Sequence, residues 1–515
     1  MASLVWTGAL LASRVIGLVR ESVLGATLGA SGQADAYAAA FRVPDMVAYV
    51  ISGSALSIVF IPMFTGYAHR GEEDRAWRAF SMVANFIVAL LLVTLPAVWL
   101  AMPRLAPMLA PGFSAEDTAL LVHLSRIVLP RQAFHLLGGL LSAALLAKDR
   151  HAVPALAPLV YTLGIIGGGV IVGTAEGFAW GVLVGAILGP FGLPLWAALR
   201  VGLRWQPVLD LRDVDLRTYL MRSLPVMLGF SIVSMDDTAW TWFGSGLGEG
   251  KVAILNYAKT LMKVPMGVFG LAMGVAAYPT ITRLVAEGKE PEAWTTLVTS
   301  ARRALLMAFA SQVALTVAGA EIGTLVLGTR RISASEMAEL GSALGWFSVG
   351  LGGWTAQTLL ARGFYARGQA WLPTWLGFGV LALGLPLYAV LGGRFGADGL
   401  AMASSAGILV YTVLLGGLLR RAMVKGDGDV PGFVDFLARV VPATALAIAV
   451  GLFARAFLGD PPADRIGAAL RVGVLAAVCA PVWTGLVWAL RVEELRVVGL
   501  AVARRVPGLR GLVKG

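Results

Sequence analysis

Long apolar runs follow one another along this chain, separated by short charged or Gly/Pro-rich breaks. Runs of about 20 apolar residues are long enough to cross a bilayer as single helices. They predict about fourteen spans, near 4–28, 34–64, 77–101, 118–147, 152–173, 177–199, 216–242, 251–283, 293–319, 337–366, 371–391, 397–420, 434–457 and 466–490. Those longer than about 25 residues leave room for tilt or for an extension beyond the lipid. The expected fold class is an all-α polytopic membrane protein.

The first two spans carry charge where a membrane helix should carry none. Arg14, Arg20 and Glu21 interrupt the first, and Asp35 and Arg42 interrupt the second. A central Arg or Asp opposes insertion by roughly 2.5 to 3.5 kcal/mol. Such residues persist when they face a wet cavity or one another, which points to a polar, mainly basic chamber inside a helical bundle.

Composition agrees. The chain has 515 residues, 58% hydrophobic and 14% charged, with a mean hydropathy of +0.78. A soluble protein would carry about a quarter charged residues. The net charge of +11 reads as loop charge that orients the protein, so no nucleic-acid partner is expected. The one cysteine, Cys479, excludes an intrachain disulfide. His69, His123, His135 and His151 show no metal-ligand spacing, so neither a metal nor another cofactor is expected. The first span lacks a basic leading region, so no cleavable signal is expected.

Lys and Arg concentrate in alternate loops, about 21 on one side against about five on the other. The positive-inside rule then places both termini in the cytoplasm. Two stretches also match at an offset of about 217: Pro62, Thr65, Gly71, Glu73, Ala76 and Trp77 answer Pro279, Thr282, Gly288, Glu290, Ala293 and Trp294. Two six-helix halves in the same order describe a parallel repeat, with a substrate site between lobes and alternating access. The expected divisions are 1–200 (helices 1–6), 201–425 (helices 7–12), 426–492 (helices 13–14) and a basic tail, 493–515. The last helix pair could form a side groove, an oligomer contact or simple packing. The tail could lie on anionic lipid as an amphipathic helix or be a frayed terminus.

Residues seven apart on a helix differ by about 20° in direction and stand about 10.5 Å apart. Arg14 with Glu21, and Asp35 with Arg42, have that spacing. In the second half, Lys259 lies within a span, and Asp236 and Asp237 sit side by side in an apolar stretch. One reading makes Arg14, Arg20, Arg42 and Lys259 ligands of an anionic headgroup, with Glu21, Asp35, Asp236 and Asp237 as gating or pairing acids. The other makes them ion pairs that lock helices together.

Ser13-Arg14-Val15-Ile16-Gly17-Leu18-Val19-Arg20-Glu21, Asp35-Ala36-Tyr37, Ala40-Phe41-Arg42-Val43-Pro44 and Asn256-Tyr257-Ala258 with Pro265-Met266-Gly267 resemble motifs of the MurJ/MviN lipid II flippases. These belong to the multidrug/oligosaccharidyl-lipid/polysaccharide flippase superfamily, and the resemblance covers essentially the whole chain. It implies two six-helix bundles plus helices 13 and 14 in the bacterial cytoplasmic (inner) membrane. It implies export of lipid II, or a related polyprenyl-pyrophosphate lipid, from the inner to the outer leaflet. The pyrophosphate would meet Arg14, Arg20 and Arg42, and the tail would follow a groove beside helices 13 and 14. Peptidoglycan-synthesis proteins are the partners implied. The chain departs from the family at Ala48 and Thr260, where arginines are usual, with Lys259 offering a cation from an adjacent face. Membrane potential or an ion gradient could drive transport, the ion being unknown. No nucleophile–base pair marks an enzyme. A cation-coupled multidrug exporter of the same fold and a non-transporting envelope-synthesis scaffold are the competing readings.

Overall fold

Proline decides where the second expected span breaks. Pro44 has no N–H to return to the carbonyl of Ala40, and the helix ends there. In the run from 34 to 64 this separates α2 (Gly32–Ala39) from α3 (Arg42–Ile51), and α4 (Ile61–His69) follows residues 52–58, which lie outside the described residues. Pro130 divides the run from 118 to 147 in the same way, into α6 (Ala115–Val128) and α7 (Arg131–Ala147). The computed structural model describes residues 2–51, 59–328, 330–369, 371–424 and 432–495, with side chains throughout except 2–12, 14, 50 and 225–234. The described residues are helices and connections, with no strand.

The chain separates into two compact units, Met1–Ile254 with Val326–Ile332, and Leu255–Leu325 with Ser333–Gly515. The first unit also holds α1 (Ala2–Leu28), α5 (Glu73–Leu109), α8 (Ala152–Val172), α9 (Ala175–Ala186), α10 (Leu193–Arg200) and α11 (Val214–Ser245). Its core is aromatic: Phe60, Phe64, Trp77 and Phe80 meet edge to face or tilted at 5.2–6.2 Å between ring centres. The α8–α9 pair packs through glycine. A Cβ on Gly164 would stand 2.6 Å from Gly185 Cα, and one on Gly168 would strike the backbone of Gly177, so only hydrogen lets these helices meet. Because α11 packs on α3 and α5, the compact boundary does not follow the repeat in the sequence.

The helix α12 (Lys251–Pro265) begins at the edge of the first unit and continues into the second. There follow α13 (Leu271–Ala286), α14 (Glu290–Val317), α15 (Gly319–Leu327), α16 (Ala334–Val349), α17 (Leu351–Ala366), α18 (Trp371–Met423), α19 (Phe433–Ala456) and α20 (Arg465–Ala489). A π-turn at Met266–Gly270 follows Pro265, absorbing the lost hydrogen bond. Gly396, at φ 59°, breaks α18 between the spans expected at 371–391 and 397–420.

Seven of the described helices are long and apolar enough to cross a membrane. They become eight if α14 and α15, bent by 83°, count as one span. This is fewer than the sequence predicts: helices broken at Pro44, Pro130 or Gly350 do not reach that length alone, α18 counts once although Gly396 divides it, and α1 and α11 include residues outside the described side chains.

Candidate functional site

The expected cations of the first unit are not bare. Arg20 turns onto its neighbour Glu21, with Nε 3.1 Å from Oε1, and the glutamate is buried. The α1 backbone carries Arg14, whose side chain lies outside the described residues. Arg42, at the start of α3, reaches α11. Its Nε donates to Thr241 Oγ1 at 3.1 Å, Nη1 lies 3.5 Å from Asp237 Oδ2, and the guanidinium stacks over Trp240 at 4.6 Å. Asp237 thus meets Arg42, and Asp236 beside it is half-buried.

Asp35 does different work. It is 2% exposed and accepts the backbone N–H of Gly250 and of Ala253, each at 2.6 Å. These are orphan donors at the N-terminus of α12, where the helix dipole favours negative charge. The reverse contact also exists, as Gly32 N–H in the first turn of α2 donates to Glu249 Oε1 at 2.9 Å. Two helix N-termini thus exchange caps. Gly250 makes the approach close: its φ is +80°, and a Cβ there would lie 2.5 Å from the Ala30 carbonyl oxygen. A polar cavity of about 780 Å³ adjoins this lock, with Asp35, Glu249, Asp117, Glu116 and Arg331 in its wall.

In the second unit Lys259 is 1% exposed. Its Nζ donates to Ser404 Oγ at 2.8 Å and lies over Phe347 and Trp354 at 4.6 and 4.4 Å. Two aromatic faces and a hydroxyl replace water around the ammonium. In this conformation Lys259 lines an aromatic box.

Three charged groups were not singled out from the sequence. Arg131, buried at the start of α7, pairs with Asp45, donates to Tyr161 Oη at 2.8 Å and lies over Phe41 at 4.8 Å. It interrupts an apolar run, so the criterion that flagged Arg42 would have found it. Arg362 in α17 has Nη1 buried without a hydrogen-bond partner, facing Gly274; it lies near the end of the span expected at 337–366. Glu249 lies in a short loop and offers no signal of its own.

Also in the second unit, an apolar groove of about 380 Å³ runs between α14, α17, α18 and α19. Leu297, Leu305, Leu360 and Leu437 are among its walls, and Arg420 stands at its edge.

Comparison with known proteins adds the following. The family model "Lipid II flippase MurJ" matches residues 24–460. The lipid II flippase MurJ of Burkholderia cenocepacia is 27% identical over 503 residues, which cover 95% of this chain and 96% of that protein. The probable lipid II flippase MurJ of Thermotoga maritima is 25% identical, covering 86% and 89%. Among solved structures, a lipid II flippase MurJ in an inward closed conformation superposes with a TM-score of 0.74 at 17% identity, over 95% of this chain and 99% of that one. An inward-facing multidrug resistance MATE family transporter of the MOP superfamily gives 0.66 at 15%, over 80% and 94%.

Proposed function

Starting from the fact that this chain belongs to the lipid II flippase MurJ family, we propose that it carries undecaprenyl-pyrophosphate-linked peptidoglycan precursor from the inner to the outer leaflet of the bacterial cytoplasmic membrane. The observation that carries this reading beyond kinship is chemical: Arg20, Arg42 and Arg131 lie within apolar helical runs, each beside a carboxylate that a pyrophosphate can replace.

In this reading the chain makes fourteen spans, two six-helix lobes and the pair α19–α20, with both termini cytoplasmic. The count takes α2–α4, α6–α7, α9–α10, α12–α13, α14–α15 and α16–α17 as one span each and α18 as two. Arg14, Arg20 and Arg42 grip the pyrophosphate, and Lys259 is a further candidate ligand of the headgroup. The exchanged caps of Asp35 and Glu249 close one side of the pathway until cargo binding opens it. The apolar groove takes the polyprenyl tail. Membrane potential acting on the charge of cargo and chamber supplies about 2.3 kcal/mol per charge per 100 mV.

A cation-coupled drug exporter of the same fold would favour an acid-dominated chamber and finds less support, since Arg42 engages Asp237, one of the two adjacent acids that would serve it. The test is complementation of a flippase-depleted strain. Arg20→Ala and Arg42→Ala should abolish growth at wild-type expression, whereas normal growth of both would refute the reading and favour a scaffold.

A further inference from the structure

The second compact unit contains two buried ion clasps that share no residue with the proposed headgroup site. In the first, fully buried Glu321 of α15 receives Arg455 of α19 and Arg471 of α20, with each Nε at 3.5 and 3.0 Å from Oε1. The two arginines also tie off helix ends. Arg471 donates to the carbonyls of Leu458, Gly459 and Asp460 at 2.6–3.1 Å, just beyond α19, and Arg455 donates to Val317 O, the last residue of α14, at 3.3 Å. In the second clasp, Arg302 of α14 lies 2.6 Å from Glu494, which follows α20, and sits over Phe436 of α19 at 5.4 Å. Arg439 of α19 adds bonds to the carbonyls of Leu490 and Arg491 at 3.0 and 3.3 Å.

From Phe436 to Arg455 the helix rises about 28 Å, close to the hydrocarbon thickness of a bilayer. The helix pair is therefore fastened to α14 at both ends of a membrane-length stretch. Between the clasps, the buried positions of α19 are Val440, Ala443, Thr444, Ala447 and Gly451, small or apolar except Thr444, whose hydroxyl accepts from Trp483 Nε1 of α20 at 3.0 Å, a bond within the pair. Such surfaces hold helices together in lipid without fixing their sliding register. A buried ion pair adds little stability over an apolar replacement, and its best-attested use is to fix register. The apolar groove lies beside the Arg302–Glu494 end, where Ala301 and Leu305 of α14 face Phe433 and Leu437 of α19.

We propose that Glu321–Arg455–Arg471 and Arg302–Glu494 are positioning groups that hold α19–α20 as a fixed wall, giving the groove a constant width for an isoprenoid chain. This rests on the reading of the cargo as a polyprenyl-pyrophosphate lipid. The test uses the full chain with all three charges of the first clasp removed (Glu321→Leu, Arg455→Leu, Arg471→Met). Two readouts are taken on purified protein: affinity for undecaprenyl- and for farnesyl-pyrophosphate-linked precursor, and the spin-label distance distribution between α14 and α19. The expected result is a melting temperature near that of the wild type, unchanged farnesyl binding, undecaprenyl binding weakened about tenfold, and a broadened distance distribution. Wild-type tail preference together with an unchanged distribution overturns the proposal. If the triple variant does not fold, Glu494→Gln, which opens the clasp nearest the groove, is read the same way. Wild-type protein that binds neither lipid refutes the cargo reading, and the distance distribution then decides the clasps alone.

Discussion

Asp35 serves as a helix cap from another helix. A capping side chain contributes about 0.5–2 kcal/mol, and charge at a helix N-terminus adds about 0.3–1 kcal/mol. Asp35→Ala should therefore raise hydrogen exchange at the Gly250 and Ala253 amides about tenfold, equivalent to about 1.4 kcal/mol, while amides in the α8–α9 pair keep their protection. Lys259 gives a prediction of a different sign. Replacing a buried charge by an apolar residue of similar length is often neutral or stabilising. Lys259→Met should thus keep or raise the melting temperature and yet lose lipid II transport; a stable variant that transports normally would remove Lys259 from the site. Sequence alone marked both residues, because a charge inside an apolar run has no other explanation than a partner or a cavity. It could not name the partners: Asp35 and Gly250 are separated by 215 positions, and Arg42 and Thr241 by 199. Glu249 stayed hidden for the same reason, since nothing near it in the chain distinguishes a capping carboxylate from a solvated one.

At the level of elements, apolar runs foretold helix positions well and helix continuity poorly. The runs at 34–64 and 118–147 remain apolar through Pro44 and Pro130, so their hydrophobicity hides a break that backbone hydrogen bonding imposes. In glycine-rich α8 some glycines touch a neighbouring helix and others do not, which their spacing in the chain does not reveal. That difference is measurable. Gly164→Ala places a Cβ within 2.6 Å of Gly185 Cα and should destabilise by about 1–3 kcal/mol. Gly167→Ala meets nothing within 4 Å and should be neutral or stabilising by up to about 1 kcal/mol, through helix propensity. Thermal unfolding in detergent compares the two; equal melting temperatures would mean that the α8–α9 contact is looser than described.

At the scale of the whole molecule, the chain shares the fold of a solved lipid II flippase MurJ and of a MATE family transporter. If net charge crosses the membrane with the cargo, flipping in proteoliposomes should respond to an imposed potential, changing by up to about 50-fold for one charge and 100 mV, the equivalent of about 2.3 kcal/mol. The central claim is that guanidinium groups embedded in helices hold a pyrophosphate. The direct measurement is the affinity of the purified chain for lipid II and for an uncharged polyprenol of the same length, in wild type and in Arg42→Ala. The account predicts that the wild type favours lipid II by at least about tenfold and that Arg42→Ala erases most of that preference. Equal affinity for the two lipids, or a preference untouched by Arg42→Ala, would contradict it.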